Sequence, residues 1–169
     1  MPDWARLGLT GPVAAHLARL VSGGQTGADR AALDVAVALG LEYGGWCPRG
    51  GWAEDHPARP GLLATYPLLR ETDSADPATR TRLNVRDSDA TLVIPGNEGA
   101  SGGTALALAV ADELGRPVLT ADDLGAVLSW LARLPGAAIT LNVAGPRESE
   151  DPGVYRRTRR LLELVLDGR

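Results

Sequence analysis

Residues 21–34 read VSGGQTGADRAALD, and they follow a short apolar run ending at Val21. The order is strand, glycine turn, helix, and that order decides the fold class. Glycines permit positive φ and close backbone approach, while the first turn of the helix leaves several N–H groups unpaired and pointing at one spot. Free donors and the positive end of the helix dipole coincide there, so the spot attracts a phosphate or another oxyanion. Gly23, Gly24, Gln25, Thr26, Gly27, Asp29 and Arg30 are therefore candidate phosphate-binding residues. A tight strand-to-helix turn without a ligand is the plainer alternative.

Outward from this stretch the pattern repeats. The first strand covers residues 17–22 and its helix residues 27–39. A short strand at 41–44 runs into the loop GGWCPRGGWAEDHPARPG, followed by an extended piece at 66–71 and a polar helix from the Asp76-Pro77 signal to residue 87. The strongest strand, ATLVI at 90–94, opens a second glycine loop, GNEGASGGT, and a helix over 101–114. A strand at 117–120, a helix capped by Asp122 or Asp123 and ending at 133, a strand at 137–143 and a helix over 152–166 complete the series. Apolar strands alternating with helices predict an α/β fold, a Rossmann-like doubly wound and mainly parallel sheet with helices on both faces. Right-handed crossovers then bring Gly23-Gly24, Gly102-Gly103 and Gly145-Pro146 to one edge, where such folds bind ligands. The length predicts one domain over residues 1–169, with a variable N-terminal arm at 1–16.

Composition narrows the function classes. A net charge of −4 gives no reason to expect nucleic acid as a partner. All 17 basic residues are arginine, which removes lysine nucleophiles and Schiff bases. A single cysteine, Cys47, excludes an intrachain disulfide and a multi-cysteine metal site, and it reads as a small buried hydrophobe. His16 and His56 lack an acid at ligand spacing, so no metal is expected. No run reaches membrane-span length and the N-terminus lacks a signal pattern, so a cytoplasmic location without membrane contact is the expectation.

The second glycine loop offers Ser101 as N-cap, Gly102 and Gly103 for backbone access, and the Thr104 hydroxyl inside the first turn. Two helix N-termini aimed at one crevice would hold a phosphate by backbone donors. In the WCPRGGWAED loop, Trp46 and Trp52 can sandwich a planar ring and Arg49 can grip an anion. Glu54 and Asp55 can accept bonds from ring N–H or ribose hydroxyls. In ATRTRLNVRDSDATLV, Arg82 and Arg86 share one helical face, and Arg80, Asn84 and Asp87 another. These arginines either bind an anion or pair with Asp87 and Asp89. Asn142, Arg147, Glu148 and Ser149 of the last loop stand on the same sheet edge. Trp4 and the Leu/Val face of the last helix fit either an interface or the core.

Taken together, SGGQTGADRAALD, GWCPRGGWAED, YPL followed by ET, RTRLNVRDSDATLV, SGGT and LNVAGPRES resemble the molybdenum carrier protein family. That family is a YpsA-related branch of the SLOG superfamily, Rossmann-like relatives of the LOG nucleotide hydrolases. The resemblance covers roughly residues 20–166. It implies a homo-oligomer, dimer or tetramer, that binds a small phosphate-bearing ligand, with molybdenum cofactor (molybdopterin) favoured and a nucleotide as the alternative. A molybdoenzyme or a cofactor-biosynthesis protein would be its partner. The LOG hydrolases carry PGGxGTxxE, whose final glutamate serves N-glycosidic cleavage. Here the position of that acid is Ala107, and Glu98 is the nearest substitute. Absence of the acid beside intact glycine loops reads as binding without turnover. A LOG-like phosphoribohydrolase using Glu98, Glu54 or Asp29, or a nucleotide sensor, is the alternative.

Overall fold

The computed structural model describes residues 13–166; Trp4 and most of the expected N-terminal arm lie outside them. Seven strands and six α-helices follow in chain order: β1 (Leu17–Val21), α1 (Ala28–Leu39), β2 (Glu42–Gly44), β3 (Trp46–Cys47), α2 (Leu62–Thr65), β4 (Arg70–Glu71), α3 (Pro77–Arg86), β5 (Ala90–Val93), α4 (Gly102–Glu113), β6 (Val118–Thr120), α5 (Leu124–Arg133), β7 (Ile139–Ala144) and α6 (Val154–Leu166). Strands β2-β1-β7-β5-β6 form one parallel sheet in that order, and β3 pairs with β4 in a separate two-stranded sheet.

The order of the main sheet has an informative property. Numbered among themselves, its five strands run 2-1-5-3-4. Moving the last strand, β7, to the front of the chain turns this into 3-2-1-4-5, the common order of Rossmann sheets. The chain thus begins one unit late and ends by inserting its last strand into the middle. Val21 lies beside Asn142 on one side of β7, and Thr91 lies beside it on the other.

Burial explains why these segments hold. Leu20, Leu92 and Leu141 are fully buried, as expected for strands covered on both faces. Leu33 of α1, Leu128 of α5 and Leu162 of α6 pack into the same cluster on one side of the sheet. The Leu/Val face of α6 therefore belongs to the core, which settles the open alternative for that helix. On the opposite side a smaller cluster joins Val85 of α3 to Ala107, Val110 and Ala111 of α4. Helix ends follow the capping residues: Asp76, Ser101 and Asp123 each accept an N–H of the first turn, and Gly40 ends α1 in the left-handed conformation. No helix among the described residues is long and apolar enough to cross a membrane.

Of the segment at 66–71, expected to be extended, Arg70–Glu71 forms strand β4, while a turn at 67–68 and one helical turn at 62–65 precede it. Tyr66 and Leu69 are buried against the core, so their apolarity reflects packing and not a strand ladder.

Candidate ligand-binding site

The carboxyl ends of β1, β5 and β7 open onto a cavity of about 300 Å³. Gly23, Gln25 and Asp29 come from the first glycine loop and the start of α1. Asp76 to Ala78, Arg80, Thr81 and Asn84 come from α3 and its cap. Ser101, Gly102, Gly103 and Leu106 come from α4, and Asn142 to Gly145, Arg147 and Glu150 from β7 and the loop after it. Three loops far apart in sequence meet here because their strands are neighbours in the sheet. The cavity lies where the strand order reverses.

The two helix N-termini differ. At α4, Ser101 Oγ accepts from Thr104 N–H at 3.4 Å, while Gly102 and Gly103 are exposed and have no intrahelical acceptor for their N–H groups. A Cβ on either glycine would meet nothing within 4 Å, so this end is open. At α1 the expectation of a free donor cluster needs correction. Ala28 N–H donates to Pro146 O at 3.2 Å, and Glu148 N–H donates to Thr26 Oγ1 at 3.2 Å. The loop after β7 covers that terminus, and Gly27 at φ 81° lies against it.

Asp29 occupies the floor. Its side chain is 4% exposed and its carboxylate accepts from Arg80 Nη1 at 2.9 Å. Burial pushes the Asp29 carboxyl up from its ordinary range, against the pull of Arg80, the Gln25 backbone N–H and Arg30. Arg80 reaches the floor only because Gly23 has no side chain; a Cβ there would collide with the guanidinium. Gln25 is held by its Oε1, which accepts from Thr26 N–H at 3.1 Å and Glu54 N–H at 2.9 Å. Asn84 receives Trp46 N–H at 2.7 Å and donates to Trp46 O at 3.0 Å, so both ends of its amide are engaged in placing β3.

The remaining expected residues have other partners. Trp46 donates to Asp87 at 2.8 Å and Arg70 lies 5.9 Å from its ring, whereas Trp52 carries Arg147 at 5.8 Å. The two tryptophans do not line the cavity, so they do not sandwich a ring in it. Glu54 accepts from the Thr26 hydroxyl and from Ser149 Oγ, and lies 3.9 Å from Arg147. The Thr26 and Ser149 bonds hold the Glu54 carboxyl below its usual range against desolvation. Arg30 forms a two-pronged pair with Asp55 at 2.8 Å, which holds the Asp55 carboxyl well below the usual range. Asp55 also lies 3.0 Å from His56 Nδ1. Arg82 lies 3.9 Å from Glu113 and Arg86 pairs with Asp87 at 2.7 Å, both at the surface. Arg49 is exposed and donates to Asp73 O at 3.4 Å. Gly24, Thr104 and Glu98 also lie off the cavity wall; Glu98 borders a neighbouring cavity beside Asn97 and Asp151.

Sequence reading gave Arg80 no distinct role, although it singled out its helical face. The signal was its i, i+4 spacing to Asn84, since both residues point inward. Ala107 is buried among Val85, Val110 and Ala111, so a residue at the LOG acid position points into the apolar layer. The carboxylates that do line the cavity are Asp29, Asp76 and Glu150.

A sheet whose order becomes Rossmann-like on moving its last strand to the front is the mark of a circular permutation. Residues 20–166 match the Circularly permutated YpsA SLOG family. The chain belongs to that family. Among solved structures the chain is similar to the "Putative molybdenum carrier protein" from Syntrophus aciditrophicus SB, 38% identical with a TM-score of 0.79. The match covers 90% of this chain and 96% of that one. No curated protein matches the chain. The β1-α1 loop, which reads most clearly in the sequence, is closed by the loop following β7, whereas the helix end after β5 is open.

Cys47 is fully buried, and burial followed by the nearby Glu71 carboxylate pushes its thiol up to about 11. The native protein is expected to resist iodoacetamide at pH 8 and to react once unfolded; rapid native alkylation read by mass spectrometry would contradict this burial.

Proposed function

We propose that this SLOG protein binds a small phosphate-bearing ligand without turning it over, with molybdenum cofactor favoured and a nucleotide the alternative. One observation carries the reading: the open N-terminus of α4, with two exposed glycine N–H groups, faces a cavity that also holds Arg147 and Arg80. A phosphate placed at Gly102-Gly103 takes backbone donors and the helix dipole, while Arg147 supplies a charge from across the cavity. The volume, at the lower end for small-molecule sites, suits one ring with its phosphate. The name of the solved neighbour supports a molybdenum-related ligand. Arginines would face the oxyanion, and the protein would act in the cytoplasm as a homo-oligomer that hands its cargo to a molybdoenzyme or a biosynthetic protein.

Gly103→Asp tests the phosphate site. The new side chain meets open space, so the melting curve stays in place, while its carboxylate repels an anion at the helix end. Binding of inorganic phosphate and of nucleoside monophosphates, measured by calorimetry, is expected to disappear; unchanged affinity refutes the assignment. Native mass spectrometry with metal analysis of the purified protein separates the ligands. A pterin mass with stoichiometric molybdenum supports the carrier, and a nucleotide mass without metal supports the alternative.

A hydrolytic reading has one observation in its favour. Asp29 places a buried carboxylate, raised from its ordinary range, in the cavity. Release of free base from nucleoside monophosphates, lost in Asp29→Asn, would establish it.

A further inference from the structure

The floor of the cavity carries a polar atom that the fold leaves unused. Gln25 is 4% exposed, and two backbone N–H groups, from Thr26 and Glu54, fix its Oε1. With the oxygen so fixed, the amide nitrogen has one orientation, and Nε2 finds no acceptor among the described residues. That nitrogen is not sealed off from solvent, and Gln25 lines the cavity, so the donor is available to whatever occupies it. Four residues on, the Asp29 carboxylate takes Arg80 Nη1 at 2.9 Å on one oxygen, and Asp29 lines the same cavity. Asn142, 3% exposed, gives Nδ2 to Thr91 Oγ1 at 3.3 Å and also lines the cavity.

We propose that this floor reads the edge of a ring that carries a carbonyl beside a ring N–H and an amino group. That lactam–amidine edge is common to guanine and to pterins. The inference rests on the phosphate-bearing ligand proposed above and names the ring chemistry at its other end. A bare amide donor calls for the carbonyl, and a carboxylate calls for adjacent N–H donors; the edge supplies both in sequence. Adenine supplies an amino group next to an unprotonated ring nitrogen, whose lone pair would face the Asp29 carboxylate and whose edge has no carbonyl for Gln25. Recognition by buried polar groups of this kind rejects the wrong edge strongly, because the mismatch leaves those groups unpaired.

Four probes test it by calorimetry on the wild-type protein: guanosine monophosphate, 6-hydroxymethylpterin phosphate, adenosine monophosphate and ribose 5-phosphate. The first two are expected to bind at least ~10-fold more tightly than adenosine monophosphate. The tighter of the two names the source of the ring. Gln25→Glu keeps the oxygen that Thr26 and Glu54 need and replaces the donor by an acceptor. It is expected to erase the preference for guanosine monophosphate and the pterin phosphate over adenosine monophosphate. Equal or tighter binding of adenosine monophosphate, with ribose 5-phosphate still bound, overturns the ring inference and leaves the phosphate reading standing. Failure of all four probes to bind overturns both. The wild-type comparison decides the question even if the variant does not fold.

Discussion

Arg80→Met is expected to destabilise the protein by about 3–5 kcal/mol at neutral pH, because it strands a buried carboxylate. Asp29 is 4% exposed and Arg80 13%, so neither charge is well solvated, and their 2.9 Å bond is the main compensation for both. The pH dependence distinguishes this mechanism from lost packing. Asp29 already titrates above its ordinary value, and removal of Arg80 raises it further. A carboxyl whose folded pKa lies above the unfolded value, about 3.9, favours folding below that value. The contribution is lost as pH rises through the folded pKa. The deficit of the variant is therefore smaller at pH 5 than at pH 8. Urea melts at the two pH values read it directly, and an equal deficit at both would assign the loss to packing. Arg80→Met with Asp29→Asn removes both charges and is expected to recover most of the stability.

Gly27→Ala is the second large effect, about 3 kcal/mol. The backbone at Gly27 has φ 81°, where a side chain is strained, and an added Cβ would overlap Pro146 O and approach Glu148 N to 2.8 Å. Those backbone groups cannot swing aside as a flexible side chain does. Gly40 supplies the control, since its φ of 67° carries the same strain with nothing within 4 Å of the added atom. Gly40→Ala is expected to cost about 1 kcal/mol. A thermal melt in which the two variants match would show that the Pro146 contact contributes nothing.

The two cases also mark where sequence reading reaches its limit. The strands at 17–22 and 90–94 and the helices at 27–39 and 101–114 were legible within a residue or two. Each is an apolar run closed by a glycine: Gly23, Pro95-Gly96, Gly40 and Gly115. The parallel sheet followed from their alternation. The order of strands did not, because nothing local in ITLNVA says that β7 lies between β1 and β5. The same non-local fact closes the α1 terminus. VSGGQTGAD carries every mark of an anion loop, yet its first free donor meets a carbonyl 118 residues away, at Pro146 (from Ala28). The tryptophan loop failed differently. Composition identifies groups able to stack on a ring but not the direction in which Trp46 and Trp52 point, which Asp87 and Arg147 decide. Gly23 was read for its backbone, and its structural importance is the space it leaves for the Arg80 guanidinium.

The insertion of β7 into the middle of the sheet sets the order in which the chain can complete itself during synthesis. β1 with β2, and β5 with β6, can each form early, but each pair then shows an inner edge of unpaired backbone groups and an apolar surface. The two halves join only when residues 139–144 have left the ribosome, and α6 must follow to cover Leu33 and Leu141. A nascent chain stopped short of Ile139 is thus two sticky half-sheets with no seam, the state in which α/β chains aggregate or recruit chaperones. Circular permutation has placed the keystone after its neighbours, so residues 139–166 govern whether the preceding ones have a sheet to belong to.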